Sequence, residues 1–273
     1  MTTKPIFVKR LIIPSEHGAW VWLFVPYVVG LLVAPRLAGP TTHAGLAAML
    51  VGLGGLSAFL LRQPATAWMR MRQGRGNLAL APLAAGWTAG LAFLALLCFL
   101  GLLLLGRTAL FSLMGVGGGI FLLYLYAARR GRAGMRALWM EAAGAAGLSM
   151  MAPAAVIAVS GQMLPAAWTL WGVLATQNVL AVLYVRLRLA DTKGRPVARR
   201  MVMVTHAAGV LLVSGAGILG WTPLLIVVPF LAFMLRAWWA AAHPRPVPNV
   251  RRFGFLELAV AALAGCWFIF SYF

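Results

Sequence analysis

Acidic side chains are scarce in this chain, so each one is a candidate for chemistry. The 273 residues include four acids, which are Glu16, Glu141, Asp191 and Glu257. An ionised carboxylate in or near lipid is costly, so it needs a structural or functional reason. Glu16 lies directly beside His17, and histidine can exchange protons near neutral pH. This pair is the candidate catalytic acid and base. The alternative is that Ser15 caps a helix and Glu16 meets the positive end of its dipole.

Several arginines and one polar stretch are candidates for binding an anionic head group. The candidates are Arg62, Arg129, Arg130, Asn178, Arg186, Arg188 and Asp191. Spacings near 3, 4 and 7 place Asn178 and Arg188 on one side of a helix, together with Gln177 and Tyr184. Polar residues in membrane helices usually face the interior of the bundle. The alternative is that Arg186 and Arg188 extend to the lipid head groups.

Nine apolar segments must position these residues. They cover about residues 18–35, 43–62, 79–105, 108–128, 138–160, 164–185, 202–219, 222–241 and 253–273. Each is roughly 18–27 residues long, which at about 1.5 Å per residue is enough to cross a ~30 Å hydrocarbon layer. The alternating polarity of a membrane β-strand is absent, so the segments are predicted to be helices.

The basic residues fall in every second gap between these segments. Of the 23 Lys and Arg residues, 21 lie in the N-terminal head or in the second, fourth, sixth and eighth gaps, and the others are Arg36 and Arg107. Short loops rich in Lys and Arg stay cytoplasmic, so the N-terminus is predicted to be inside and the C-terminus outside. The net charge of +19 is therefore a topological signal that also faces anionic lipid, and no nucleic-acid partner is predicted.

The composition indicates a membrane protein rather than a soluble domain. The chain is 63% hydrophobic and 10% charged. We predict an all-α polytopic protein of the bacterial plasma membrane, with nine transmembrane helices in the lipid bilayer. Residues 1–273 form a single transmembrane domain, and residues 1–17 are its cytoplasmic N-terminal segment. The first apolar segment lacks a convincing cleavage site and is expected to remain as a helix. The sequence leaves the oligomeric state open.

Small residues, prolines and one cytoplasmic loop add expectations about packing. Glycines recur at Gly115, Gly117, Gly118, Gly119, Gly144, Gly147, Gly209, Gly215 and Gly217. They favour close packing of helices, and the alternative is a lining that leaves room for a lipid chain. Pro26, Pro82, Pro153 and Pro229 lie inside the segments and are expected to kink their helices or to leave a carbonyl without its helical donor. The gap from Gln63 to Leu78 mixes Trp and Met with Arg, which predicts a short helix lying in the membrane interface.

The segment from Pro14 to Trp20 carries a first resemblance. It reads PSEHGAW and is followed by Pro26 and Gly30. This pattern resembles the opening signature of the YwiC-like family of bacterial membrane proteins. The resemblance implies a membrane protein without implying a particular reaction.

A second resemblance covers most of the chain. Nine helices with cytoplasmic loops after the second, fourth, sixth and eighth are similar to the UbiA superfamily of intramembrane prenyltransferases. Leu123–Arg130, followed by Glu141 and Gly144, resembles the region where that superfamily uses basic residues to hold a diphosphate. Asp191 stands where its second aspartate-rich motif would end. The resemblance implies a UbiA-like bundle with a cavity that faces the cytoplasm.

The chain departs from that superfamily at its metal-binding motifs. The first motif corresponds to Arg62–Trp68, which contains no acid, and the second retains Asp191 alone. Magnesium takes oxygen ligands, usually including one or two carboxylates. We therefore expect no metal and no cofactor, with arginines holding the head group by charge-assisted hydrogen bonds instead.

Three functions are compatible with the sequence. The first is a divergent prenyltransferase-like enzyme, or former enzyme, that acts on or binds an isoprenoid or another anionic amphiphile. The second is a transporter or permease. The third is a non-catalytic binder of a quinone or haem, or an assembly factor for a membrane complex. The sequence leaves open whether the protein is an enzyme.

Overall fold

The structure is a computed structural model that describes residues 8–14, 17–129 and 137–273, and every regular element in these residues is helical. A single turn at Lys9–Ile12 precedes ten longer helices. These are α1 (His17–Leu37), α2 (Ala44–Arg72), α3 (Ala81–Leu104), α4 (Leu110–Arg129), α5 (Leu138–Leu148), α6 (Met151–Ser160), α7 (Pro165–Thr192), α8 (Arg199–Ile218), α9 (Val227–Ala242) and α10 (Val250–Ser271). Short 3-10 turns at Leu78–Leu80 and Leu224–Ile226 lead into α3 and α9.

These helices supply nine spans that are long and apolar enough to cross a membrane, counted over the described residues. The helices α5 and α6 together form the fifth span, Leu138–Ser160, and each other helix belongs to one span. The prediction of an all-α polytopic membrane protein is therefore confirmed. Large apolar side chains cover the outside of the bundle, as a lipid environment requires.

Two helices continue past their predicted ends on the side of the Arg-rich loops. The helix α2 runs to Arg72 and α7 runs to Thr192. The predicted separate interfacial helix in Gln63–Leu78 is therefore wrong, because most of that segment forms the last turns of α2. Tertiary packing explains the difference. Met71 is buried against Leu11 of the N-terminal turn and against the start of α3, so its apolar face contacts protein instead of the membrane interface.

The fifth span is interrupted between α5 and α6. Pro153 has no N–H, so it cannot donate the usual helical hydrogen bond to the carbonyl of Ser149. The N–H of Ala152 donates to that carbonyl instead, at 3.1 Å. Pro82 and Pro229 both lie in the first turn of a helix, where a missing N–H is tolerated. Neither proline therefore requires the kink that the sequence predicted.

The helix α1 lies at the centre of the bundle. It packs against α2, α5, α6, α7 and α10. Val29, Val33 and Ala34 on this helix are almost completely buried. Gly30 lets α1 approach α6 closely, because a Cβ atom at this position would lie only 2.8 Å from the Cα of Ala152.

Arg107 joins three connections at the end of the bundle where α1 finishes. Its side chain is buried and donates Nε to the carbonyl of Ala158 at 3.0 Å. Its Nη2 atom donates to the hydroxyl of Thr41 at 2.6 Å and to the carbonyl of Thr42 at 3.0 Å. Its Nη1 atom donates to the carbonyl of Leu105 at 3.2 Å. Carbonyl and hydroxyl oxygens therefore satisfy this buried cation.

The two ends of the described chain lie at opposite ends of the bundle. The guanidinium of Arg36, in the last turn of α1, stacks over the ring of Phe273 at 4.2 Å. The C-terminus is thus beside the last turn of α1, and the N-terminal turn is beside the last turns of α2. An odd number of spans requires this arrangement. The direction in which the bundle sits in the membrane stays a prediction from the basic loops.

A cavity between the first five spans

A large cavity with a volume of about 460 Å³ is surrounded by α1 to α6. Its lining is almost entirely apolar. Val51, Leu102 and Leu113 line one end, and Arg62 and Tyr124 line the other. Along α2 the lining extends from Leu50 to Arg62, and the 12 residue steps between them correspond to about 18 Å of helix. The space is therefore elongated, with a polar group at one end.

Aromatic rings hold the guanidinium of Arg62 at the polar end. Its carbon lies 4.6 Å from the centre of the Phe59 ring and 5.4 Å from that of Tyr124. Trp20 of α1 meets the Phe59 ring edge to face, with 5.0 Å between ring centres. Cation–π contacts stabilise a charge in a place where water is limited. A guanidinium has five N–H donors, so Arg62 can bind a head group as well as protein acceptors.

The polar end lies at the level of the cytoplasmic membrane surface if the predicted orientation is correct. Arg62 follows the first residue of α2, Ala44, by 18 residues, which corresponds to about 27 Å along the helix. The hydrocarbon layer is about 30 Å thick. Arg62 therefore lies near the inner limit of this layer, and the apolar part of the cavity lies within it.

One side of the cavity opens on the outer surface of the bundle. Met114, Gly117 and Gly118 line the cavity and are also exposed. They lie near the middle of α4, at the depth where lipid chains surround the protein. A Cβ atom at Gly117 or Gly118 would meet no other atom within 4 Å. The glycines of α4 therefore leave open space and do not serve close packing.

The glycines singled out in the sequence fall into two groups. At Gly144 an added Cβ atom would also meet open space, as at the α4 glycines and Gly215. At Gly147 it would lie 2.6 Å from Ile120, and at Gly209 it would lie 2.7 Å from Leu180. The prediction of close helix packing is therefore correct for Gly147 and Gly209. The alternative, a lining that leaves open space, is correct for Gly117, Gly118 and Gly144.

The predicted site residues on the first five spans are only partly described. Arg62 lines the cavity. Glu16 and Arg130 lie outside the described residues. The backbone positions of His17 and Arg129 are described, at the start of α1 and at the end of α4, and their side chains are not.

Two predicted residues of α7 face the fifth span. Asn178 is buried, and its side-chain amide donates to the hydroxyl of Ser149 at 2.8 Å, where the span is interrupted. Arg186 forms an ion pair with Glu141 of α5 at 2.9 Å. This ion pair links α7 to the start of α5. Neither Asn178 nor Arg186 lines the cavity.

Two further predicted residues lie on the other side of α7. Arg188 is close enough to Tyr184 and Glu257 to interact with both electrostatically. Asp191 forms an ion pair with Arg199, which connects the end of α7 to the start of α8. The structure therefore brings Arg62 into the cavity and keeps Arg188 and Asp191 away from it.

The helix α7 has two polar faces, where the sequence indicated one. Gln177 faces α8, α9 and α10 in a second, small cavity, whereas Asn178 contacts Ser149. Successive side chains are rotated by about 100° around the helix axis, so Gln177 and Asn178 face different neighbouring helices. His206, which is 2% exposed within α8, was not predicted as a site residue. An ionisable residue within an apolar segment was the available signal.

Among the described residues, no three His, Cys, Asp or Glu side chains lie close enough together to hold a metal ion. The comparisons with curated proteins and with solved structures gave no match. The resemblance to the UbiA superfamily therefore stays a prediction. A model of the YwiC-like protein family matches residues 13–156, which is more than half of the chain. The matched residues contain the first four spans, most of the fifth, and the whole lining of the large cavity. The chain belongs to the YwiC-like protein family.

Proposed function

We propose that the protein binds a single-chain amphiphile of isoprenoid type in the bacterial plasma membrane. The apolar chain would occupy the cavity between α1 and α6, and an anionic head group would bind at Arg62 and Tyr124. The observation that carries this proposal is one elongated apolar cavity with a cation at one end. An apolar tail gains by leaving water, and an anionic head gains by binding a guanidinium.

The volume of the cavity supports a ligand with one chain. A methylene group fills about as much space as a water molecule, ~30 Å³, so the cavity accommodates roughly 15 carbons. The length of about 18 Å along α2 agrees with an extended chain of this size. A phospholipid with two long chains would exceed the space. A linear isoprenoid or a quinone with a short tail would fit.

The opening at α4 supports access from the membrane. The exposed glycines Gly117 and Gly118 lie beside the apolar part of the cavity. An amphiphile already dissolved in the bilayer could enter tail first through this opening, with its head at the level of Arg62. Such a path avoids transferring the apolar chain through water.

We further propose that the protein catalyses a reaction of the bound ligand. We assign Glu16 and His17 as acid and base, and Arg129 and Arg130 as further contacts of the head group. The positions of two helix ends support this assignment. Trp20, one turn after His17, contacts the Phe59 ring at the polar end, and α4 ends at Arg129, five residues after Tyr124. Conversion of a supplied isoprenoid phosphate would support an enzyme, and stable binding without conversion would support a carrier or assembly factor.

One observation favours a transporter as a second candidate. The interruption of the fifth span lies beside the cavity, which is lined by Leu148, Met150 and Met151. Transporters often bind their substrates at interrupted helices. Reconstituted vesicles separate the two candidates: movement of a solute across the bilayer favours transport, and retention of one amphiphile per protein without flux favours binding.

The proposal is tested by a substitution at one glycine that fills part of the cavity with a side chain. Gly118→Leu would place a side chain in the ligand space, and Gly119→Leu, the matched control, changes a neighbouring glycine that does not line the cavity. Both proteins are purified from native membranes, and the bound lipids are extracted and quantified by mass spectrometry. We expect Gly118→Leu to lose about tenfold or more of a single-chain amphiphile, as overpacking by roughly 1–3 kcal/mol implies. Equal lipid content in both variants would contradict the proposal.

A native thiol gives an independent measure of occupancy. Cys98 lines the cavity and is buried, whereas Cys266 is exposed on α10. In a Cys266→Ser variant, N-ethylmaleimide can therefore report on Cys98 alone. Adding farnesyl phosphate should slow the modification of Cys98, and Gly118→Leu should abolish this protection. Protection that is the same in Gly118→Leu would place the ligand elsewhere.

A further inference from the structure

A second polar cluster lies outside the matched residues, between α7, α8, α9 and α10. Arg236 of α9 donates Nη1 to the Glu257 carboxylate of α10 at 2.9 Å. The guanidinium of Arg236 also stacks over the ring of Tyr184 of α7, at 4.0 Å from its centre. His206 of α8 and Gln177 of α7 complete the cluster. The described part of the chain thus places five polar side chains from four spans inside an apolar bundle.

A small cavity of about 20 Å³ separates these side chains. Its polar lining comes from Gln177, His206, Arg236 and Glu257, and the rest is apolar. A cavity holds a water molecule when its volume exceeds roughly 10–15 Å³ and it offers two to four polar partners. This cavity meets both conditions for one water molecule, and it is too small for an organic ligand.

Two buried polar atoms of the cluster lack hydrogen-bond partners, and one is an acceptor whereas the other is a donor. The Oε1 atom of Gln177 is buried and lacks a donor, and the Nε atom of Arg236 is buried and lacks an acceptor. The Nδ1 atom of His206 lies 2.7 Å from the carbonyl of Val202. Because a carbonyl only accepts, Nδ1 carries the proton, and Nε2 of a neutral ring is left as an acceptor.

We propose that one ordered water molecule occupies this cavity as a fixed part of the protein. It supplies the donor that Gln177 Oε1 lacks and the acceptor that Arg236 Nε lacks. Its second hydrogen binds His206 Nε2 or the carboxylate of Glu257. One water has two donors and two acceptor positions, so it can satisfy these groups together.

The bound water attaches α10 to the second half of the bundle. The helix α10 approaches α1 closely and approaches α7, α8 and α9 less closely. The Arg236–Glu257 pair and the water therefore add polar connections to that of Trp267, whose Nε1 atom donates to the carbonyl of Leu225 just before α9 at 2.8 Å. The site is closed on its other side, because Leu174, Phe230 and Phe268 form a packed apolar cluster beyond Gln177. It holds a water and does not form a path across the membrane.

A double-mutant cycle tests this site. Ala261→Val would fill the cavity from α10, and Ala262→Val, the matched control, adds the same atoms on an exposed position. We expect Ala261→Val to lower the Tm in detergent by roughly 2–4 °C or more, and Ala262→Val to change it little. In a Gln177→Leu background, which removes the orphan acceptor, Ala261→Val should lower the Tm clearly less.

The Gln177→Leu background distinguishes a decrease in Tm caused by loss of the water from a decrease caused by overpacking. If Ala261→Val only strains the helices, it lowers the Tm equally in both backgrounds, and the proposal is wrong. An unchanged or raised Tm for Ala261→Val would mean that the cavity is dry, which also overturns it. X-ray radiolytic labelling in ¹⁸O water gives a direct readout, because irradiation converts a bound water into a hydroxyl radical that oxidises the side chains beside it. We expect labelling of His206 and Phe233 in the wild type and its loss in Ala261→Val. Absence of this label in the wild type contradicts the site.

Discussion

At the residue scale, the arginines of this protein occupy environments that their sequence positions do not distinguish. Arg62 stacks on two aromatic rings and lines the large cavity. Arg107 is buried and bound to carbonyl and hydroxyl oxygens. Arg186, Arg199 and Arg236 each form an ion pair with an acid on another helix. Because these environments differ, removal of each arginine should affect a different property.

Arg62→Gln should weaken binding of an anionic amphiphile without unfolding the protein. A hydrogen bond to a charged group contributes about 1.5–3 kcal/mol, so we expect the Kd for farnesyl phosphate to rise about 10–100-fold. Titration of the protein in lipid nanodiscs measures this change. Arg70→Gln, two turns further along α2 and outside the cavity lining, serves as the control.

Two further measurements define the role of Arg62. Farnesol has the same chain without the charge, so its affinity should change little in Arg62→Gln. A chelator of divalent ions should leave the binding of farnesyl phosphate to the wild type unchanged, since arginine is proposed to replace the metal. A strict magnesium requirement would show that other groups hold the head group.

Arg107→Ala should destabilise the protein without affecting the cavity. The change removes four hydrogen bonds from a buried cation and leaves the carbonyls of Ala158 and Thr42 without this donor. An unsatisfied buried group costs about 1–3 kcal/mol, so the Tm should fall by several degrees. Arg36→Ala is the control, because Arg36 is exposed and its cation–π contact is worth about 0.5–1 kcal/mol. If Arg107→Ala and Arg36→Ala had the same Tm, the stabilising role assigned to Arg107 would be wrong.

At the element scale, the path of each helix depends on a few small or rigid residues. Pro153 interrupts the fifth span, and Gly30 allows α1 to lie against α6. These positions determine how closely the central helices pack. By contrast, Gly117 and Gly118 determine where the helices stay apart. Both kinds of glycine look alike in the sequence, because the neighbouring helix that decides the difference is distant along the chain.

Gly30→Ala should therefore be harmful, although alanine favours a helix. Its Cβ atom would overlap the backbone of Ala152, which cannot move aside as a flexible side chain could. Overpacking of this kind costs roughly 1–3 kcal/mol, so the Tm should fall by several degrees. Gly86→Ala in α3 is the control, since its Cβ atom meets nothing within 4 Å and alanine should stabilise that helix slightly. A Tm for Gly30→Ala at or above that of the wild type would contradict the packing described.

At the scale of the whole molecule, the distribution of basic residues predicts which end faces the cytoplasm. A reporter fused after Phe273 should show a periplasmic or extracellular location. Reporters inserted at Gly74 and Gly194, which lie in exposed turns, should show a cytoplasmic one. The physical reason is that Lys- and Arg-rich short loops are retained inside. A cytoplasmic signal at the C-terminus would contradict the predicted orientation and the side assigned to the polar end of the cavity.

The two proposed sites lie in different parts of the molecule. The first five spans, matched by the family model as far as residue 156, contain the large apolar cavity and Arg62. The last four contain the polar cluster around Arg236 and Glu257. The helix α1 packs against α6 of the first part and α10 of the second. Ligand binding in the first part and hydration in the second can therefore be tested in separate variants of one protein.

The amino-acid sequence by itself determined the nine spans, because lipid imposes length and polarity on each segment separately, and local composition answers that requirement. It also predicted Arg62 as a site residue, from an arginine at the end of an apolar segment. Only the tertiary structure decided that Gln177 and Asn178 face different partners and that Arg107 joins three connections. It likewise decided that Gly118 borders a cavity. These properties depend on how each helix is rotated and which distant helix packs against it, and neither quantity is recorded in the hydropathy of a single segment.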